Sequence, residues 1–438
     1  MKNTKNSVPK VSNGFLFYLS FGILGTQMAF GLESSQLGRL FQTIGAKPEL
    51  LGMIFIIPPL TGLVMQPIIG KYSDKTWIPQ LGGRRMPYLI VGTIFTMITL
   101  ILLPNSGSFG WTSSTAVIVA SLIVGVFMLA SNVCIQPYKM LVGDMVNSDQ
   151  KGKAYSIQSL LANIGSVIAA MAPFILTALG VSNTAPKGVV PDSVLFAFYI
   201  AAAAIATCSL VTILLIKEFS PDQFRSYHGI TENENTKSMV NLLKEAPKVF
   251  WLVGLVNFFA FLAFGYLWIY GSGAISANIY NSIDPKSIGY QKGANLFGVF
   301  SALYALSAVV VSLMLTKVKK KHYVKVLSAS MLIGGIGFIV VFLSHTVLLT
   351  GLAFVMVGVG WAGLLVYPLT MVSDSISEEY IGTYLGLFNI QLCIPQIVAS
   401  ILSVVILPLV NGSMPMMILI SGVSMLIGGI IASLIKLK

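Results

Sequence analysis

Charge is what this sequence has least of. Of its 438 residues 10% are charged, against 55% hydrophobic. Soluble chains carry roughly 25% charged residues, so too little charge is present to cover a surface facing water. Histidine is limited to His228, His322 and His345, all at or near the ends of apolar runs. Cysteine is limited to Cys134, Cys208 and Cys393, far apart and each inside an apolar run. Neither set has the spacing of a disulfide framework or a metal site. No Walker loop and no nucleophile elbow occurs. An enzyme is therefore not expected, nor is a cofactor or a metal. Acidic residues are also few, 15 against 27 Lys and Arg, for a net charge of +12. That balance would suit nucleic acid if it were spread over a surface. Here the basic residues gather at the ends of apolar segments, as in loops beside an anionic lipid leaflet. The expected partner is the bilayer, with no nucleic acid.

What the sequence does have is apolar length. Stretches of about 20 residues, enough for a span, lie near 14–38, 50–70, 87–104, 116–142, 154–180, 193–217, 249–276, 293–316, 324–344, 348–373, 381–410 and 414–435. That makes twelve. The first is longer than a signal-peptide core of about 7–15 residues and has no small-residue cleavage site, so it reads as a retained helix. The longest polar gap, Lys217 to Lys248, separates six spans from six. The expected organisation is a six-helix half over 1–216, a cytoplasmic linker over 217–248 and a second six-helix half over 249–438. With the N-terminus inside, the outer loops hold Arg39, Lys47, Lys187, Lys286 and Lys292. The remaining 22 of the 27 basic residues then lie inside. This asymmetry predicts both termini in the cytoplasm.

The two halves look like copies. With Asp144 aligned on Asp374, Gly152 falls on Gly382, and Pro137 and Pro368 precede the two aspartates. A polar-studded helix follows each: Gln158, Ser159 and Asn163 in the first half, Asn389, Gln391 and Gln396 in the second. Parallel repeats of this kind place a solute site near the midplane between the halves.

Between the second and third spans runs Gln66-Pro67-Ile68-Ile69-Gly70-Lys71-Tyr72-Ser73-Asp74, and after eight residues Gly83-Arg84-Arg85-Met86-Pro87-Tyr88. This hinge resembles the signature loop of the major facilitator superfamily, in the branch of sucrose and related sugar transporters. The resemblance continues in Gly25-Thr26-Gln27 through Gln42-Thr43-Ile44-Gly45 and in Asn132 through Gln136-Pro137-Tyr138-Lys139 to Gly143-Asp144. Trp268-Ile269-Tyr270, Gly360-Trp361-Ala362 and Gly386-Leu387-Phe388-Asn389-Ile390 through Gln396 are similar to bacterial members, several of which handle maltose. The resemblance implies an all-α membrane protein of twelve transmembrane helices in two pseudo-symmetric six-helix halves. It also implies a disaccharide substrate. Two departures matter. The plant proteins carry a coupling Asp in the fourth span where this chain has Met128. They carry Gln where this chain has Glu33, and animal relatives carry Glu there.

Glu33 is the carboxylate most clearly embedded in a span. Such groups usually face a polar cavity and mark an ion or proton path, so Glu33 is the candidate for proton coupling; snorkelling to the interface is the plain alternative. Lys139, near the inner end of the fourth span, could donate to a sugar hydroxyl or reach the cytoplasm. Sugars need amide partners and aromatic platforms. The candidate binding residues are Gln27, Asn132, Gln136, Lys139, Gln158, Asn163, Trp268, Tyr270, Trp361, Tyr367, Asn389, Gln391 and Gln396. For an aromatic the alternative is a face toward lipid; for an amide it is helix-to-helix bonding. Asp74, Arg84, Arg85 and Asp144 are the candidate gating residues, a carboxylate and guanidinium latch on the cytoplasmic side. The expected function is import of maltose, another α-glucoside or sucrose by proton symport, as a monomer in the cell (inner or plasma) membrane. A drug or other small-molecule/proton antiporter, or a sodium-coupled or uncoupled sugar transporter, stays open as the alternative.

Overall fold

The computed structural model describes residues 8–186, 188–228, 239–315, 317–376 and 381–436. The helices are α1 (Asn13–Ile44), α2 (Pro48–Ile54), α3 (Ile57–Lys75), α4 (Met86–Asn105), α5 (Ser113–Met145), α6 (Ser148–Ala178) and α7 (Asp192–Leu215). After them come α8 (Pro221–His228), α9 (Met239–Glu245), α10 (Lys248–Tyr280), α11 (Ile288–Leu315), α12 (Tyr323–Leu343), α13 (Val347–Ser373), α14 (Ile381–Leu409) and α15 (Met414–Ser433). Twelve stretches among the described residues are long and apolar enough to cross a membrane; α2 with the first half of α3 makes one of them, and α8 and α9 none. The expected linker thus holds two short helices, and its residues 229–238 fall outside the described ones.

Local chemistry sets the helix ends. Ser12, Thr112, Thr346 and Ser413 each accept a backbone N–H from the first turn that follows, which satisfies a donor the helix leaves over. Gly45 ends α1 in the left-handed region, at φ 113°, and its N–H bonds back to Gln42. The second span breaks at Phe55–Ile56. Pro58 and Pro59 cannot donate to the carbonyls of Ile54 and Phe55, so the ladder is interrupted there. Pro137, Pro368 and Pro395, which also looked able to open their helices, sit inside α5, α13 and α14 without interrupting them.

Lipid is as apolar as a leucine core, so helix association rests on close packing. A Cβ on Gly92 would lie 2.6 Å from the Cys134 nitrogen, and one on Gly334 2.9 Å from Gly360 Cα. Leu348 is 77% exposed and Leu409 76%, as side chains are where the outer face meets acyl chains. In the first half α1 packs on α6 and α7, and α4 on α5 and α7. In the second, α10 packs on α15, α11 and α14, and α12 on α13 and α15. Across the halves α6 meets α11, α14 meets α2 and α3, and α1 meets α10 and α11.

One basic residue is not where the sequence placed it. Arg39, expected in an outer loop, lies inside α1 and is 1% exposed. The reason is that α1 runs to Ile44, where the left-handed Gly45 stops it.

Candidate functional site

A cavity of about 530 Å³ lies between the two halves. Its walls differ in chemistry. The first half contributes Gln27, Glu33 and Ser34 from α1, Gln66 from α3, Asn132 and Lys139 from α5, and Asn163 and Ser166 from α6. The second half contributes Trp268 from α10, Tyr304 from α11, Trp361 from α13, and Cys393, Gln396 and Ser400 from α14. The break in the second span places Phe55, Pro58 and Pro59 on the cavity as well.

The polar wall is held by bonds within and between its helices. Asn132 donates to the Met128 carbonyl at 2.9 Å and accepts from Gln66 Nε2 at 3.2 Å. Asn163 donates to the Ser159 carbonyl at 2.7 Å, and Gln396 to the Leu392 carbonyl at 2.9 Å. Each of these amides ties one N–H to the turn before it. For Gln396 the amide oxygen and second N–H stay available to a solute, and for Asn163 the amide oxygen does, since its Nδ2 also reaches Ser159 Oγ at 3.4 Å. Glu33 makes no hydrogen bond or ion pair among the described residues, and neither does Lys139, which is exposed into the cavity. The aromatic wall is a packed cluster. Phe264 lies 4.5 Å from Trp361, and Trp268 meets Trp361 edge-on at 6.0 Å. Trp268 Nε1 donates to the Tyr304 hydroxyl at 3.5 Å.

Eight of the binding and coupling candidates read from the sequence therefore share one cavity: Gln27, Glu33, Asn132, Lys139, Asn163, Trp268, Trp361 and Gln396. Six others lie off its lining. Gln158 donates to the Tyr138 carbonyl at 2.9 Å and Gln391 to the Phe250 carbonyl at 3.2 Å, so both join neighbouring helices. Tyr367 is buried and donates to the Leu315 carbonyl at 3.2 Å. Tyr270 is fully buried, Asn389 packs toward the Cys393 sulfur at 3.9 Å, and Gln136 is half-buried with its Oε1 enclosed. Gln66, Tyr304, Ser34, Ser166 and Ser400 were not among the sequence candidates. Gln66 was read only as the start of the hinge motif. Tyr304 and the serines carried no signal beyond being polar atoms within spans.

The hinge forms a second cluster, near the end of the molecule that carries the termini. Arg84 Nη2 and Arg85 Nε both lie 2.9 Å from Asp144 Oδ2, and Arg85 also donates to Ser73 Oγ. Arg84 sits 3.8 Å over the Phe224 ring of α8, a cation–π contact. Glu218 caps α4, accepting the N–H of Arg85 at 2.7 Å and of Met86 at 2.9 Å. Burial pushes the Glu218 carboxyl up, while those N–H groups and the Arg85 charge pull it down. The bonds just named lie within the first half and the start of the linker. The Asp74 side chain lies outside the described residues. The repeat recurs here, because Asp374 of α13 pairs with Lys320 at 2.9 Å. Each repeat-related aspartate thus takes a basic partner from the second-to-third loop of its own half.

The family profile of the Major Facilitator Superfamily matches residues 11–400. The chain is 27% identical over 172 residues to the general alpha-glucoside permease of Schizosaccharomyces pombe, covering 37% of this chain and 31% of that one. It is 28% identical over 220 residues to the sucrose transport protein SUC3 of Arabidopsis thaliana, covering 44% and 35%. The chain thus spans about a third of the length of those two relatives. With the sucrose transport protein SUC4 of the same plant it is 22% identical, covering 97% of this chain and 90% of that one. Among solved structures it is similar to the nucleoside transporter NupG, with a TM-score of 0.66, 13% identity and coverage of 96% and 98%. It is also similar to a bacterial homolog of the human lysosomal transporter Spinster, with a TM-score of 0.66, 12% identity and coverage of 98% and 97%. At those identities the two structures share the fold.

Proposed function

The chain belongs to the Major Facilitator Superfamily, and from that premise we propose that it is a secondary active transporter that imports a disaccharide with a proton. The observation that carries the reading is the two-sided cavity. A disaccharide has hydroxyl edges that need donors and acceptors, and C–H faces that pack on aromatic rings. The amide-rich wall of the first half suits the edges, and the Trp268–Trp361 wall of the second suits a face. The volume falls in the range of roughly 300–1,000 Å³ usual for small-molecule sites. The relatives named for sucrose and alpha-glucoside transport support maltose, another α-glucoside or sucrose as the solute.

In this reading Gln27, Asn132, Asn163 and Gln396 bind hydroxyls, and Lys139 donates to one near the mouth. Glu33 takes the proton. A carboxylate without a partner in a cavity that alternates between wet and dry favours its neutral form when dry and its charged form when wet. Solute and proton then shift the same population between inward- and outward-open states. The lopsided basic residues support cytoplasmic termini; import through the plasma or inner membrane belongs to the proton-symport reading, and the working unit is a monomer. The 1–216 and 249–438 halves move against one another about the cavity, with Arg84, Arg85 and Asp144 biasing that motion from the terminal end.

The test is uptake by purified protein in liposomes. Radiolabelled maltose, sucrose and a nucleoside are offered with and without an inward proton gradient. Accumulation of one disaccharide above its outside concentration, only with the gradient, is the expected result. Uptake of the nucleoside alone, or accumulation driven by sodium alone, would overturn the reading.

A further inference from the structure

Away from the termini, the seam between the halves is bridged by a buried cation, Arg39. Arg39, buried in the last two turns of α1, donates from Nε to Gln291 Oε1 at 2.7 Å and from Nη1 to Asn295 Oδ1 at 2.5 Å, both on α11 of the other half. Its Nη2 donates to Asn183 Oδ1 at 2.7 Å, in the α6–α7 connection of its own half, and its Nη1 reaches Gln36 Oε1 at 3.4 Å. No carboxylate pairs with it among the described residues. The three strongest acceptors are aimed at the guanidinium by their own second contacts. Asn295 Nδ2 donates to Thr177 Oγ1 at 2.9 Å, Gln291 Nε2 to Thr43 Oγ1 at 3.2 Å, and Ser193 donates to Asn183 Oδ1 at 2.8 Å.

This cluster lies at the end of the molecule away from the termini, and so do the other bonds that cross the halves there. The Asn295–Thr177 bond joins α11 to α6, and the Gln291–Thr43 bond joins α11 to α1. Gly38 lets α1 approach α10 so closely that a Cβ would stand 2.9 Å from the Ile269 carbonyl oxygen. Toward the terminal end, by contrast, Lys139 is exposed into the cavity, and the Arg84–Asp144, Arg85–Asp144 and Lys320–Asp374 pairs each lie within one half. The seam is not built for permanent closure. Gln36 Nε2 is buried there without a hydrogen-bond partner, which costs about 1–3 kcal/mol and is relieved when water enters.

We propose that the Arg39 cluster is the far-end gate of the cavity, a clamp in which one guanidinium holds the second half by two neutral amide oxygens. Neutral acceptors make it reversible. Water and amide oxygens compete for a guanidinium on similar terms, whereas a buried carboxylate would hold it far more tightly. The proposal rests on the transport reading above, and its test needs no solute, so the two can fail separately.

The full-length protein carries spin labels at Leu179→Cys and Ile283→Cys, with the three natural cysteines replaced by serine. Both sites are well exposed at the far end, one on each half. The distance distribution is measured in liposomes for this parent, for Arg39→Gln and for Asn295→Asp. Arg39→Gln removes the charge-assisted bonds and should lower the short-distance, far-end-closed population about tenfold. Asn295→Asp turns the clamp into an ion pair and should move the distribution the other way, leaving a single short distance. An unchanged distribution in Arg39→Gln, or a longer distance in Asn295→Asp, would overturn the proposal. If Arg39→Gln does not fold, the Asn295→Asp result alone decides.

Discussion

Each end of the molecule holds an arginine cluster, and the two are built from opposite materials. At the terminal end Arg84 and Arg85 share the carboxylate of Asp144, with Ser73, Phe224 and Glu218 around them. Every one of those partners belongs to the first half or to the linker that leaves it. At the far end Arg39 meets only amide oxygens among the described residues, and two of them come from the second half. On the gate proposed above, the difference follows what each has to do. A bond between groups of one half can be an ion pair. One that breaks in every cycle is better made from neutral acceptors, because an unpaired buried carboxylate would be left behind each time it opened.

The comparison breaks first if Asp144 is dispensable. Asp144→Ala strands two arginines, one of them buried, and should cost about 3 kcal/mol of stability. A fall in the thermal midpoint of the detergent-solubilised protein reads this out, while Arg39→Gln should move that midpoint much less. A smaller effect is expected when the far-end material is exchanged for the near-end one. Asn295→Asp should slow saturated uptake about tenfold with the solute KM retained, since an ion pair, stronger than the guanidinium–amide bond it replaces, now has to open in each cycle. Equal uptake by the two proteins would mean that the far end does not open on the transport path. Arg84→Ala should cost about 1 kcal/mol, because Arg85 still holds Asp144 and only one hydrogen bond and the Phe224 contact are lost.

The smallest effect concerns Glu218. Burial raises its carboxyl above the ordinary 4.5. A carboxyl raised on folding contributes stability that is fully present below its unfolded value and is lost as pH rises through the folded one. The thermal midpoint should therefore drift down as pH rises from about 4.5 through that window. Glu218→Gln keeps an oxygen for the two N–H groups and should flatten the drift. A steeper drift in the variant would reverse the sign assigned to the cap.

Much of this architecture could be read from residues alone. Twelve apolar lengths and a central polar gap anticipated the helix count, and the Asp144–Asp374 repeat pointed to two related halves; the ion pairs those aspartates make came from the structure. Helix rotation was harder to read. Lipid and protein interior are both apolar, so a membrane helix shows little amphipathic pattern to say which side a polar residue faces. Hence Gln158 and Gln391 looked as much like solute ligands as Asn163 and Gln396, and only the packing separated helix-joining amides from those lining the cavity. Arg39 was misplaced for a related reason. Hydropathy ends a span at its first charge, whereas α1 ends at the left-handed Gly45 six residues later. Glu33 was legible because a lone carboxylate in an apolar run has few purposes.

Glu33 also gives the most direct test of the account. Wild type and Glu33→Gln, reconstituted side by side, are assayed for exchange of the preferred disaccharide at equal concentrations and for its accumulation under a proton gradient alone. The account predicts that Glu33→Gln exchanges sugar within about threefold of wild type, a change worth well under 1.4 kcal/mol, and accumulates none. Accumulation by Glu33→Gln against the sugar gradient would contradict it, and would place the coupling of this cavity elsewhere.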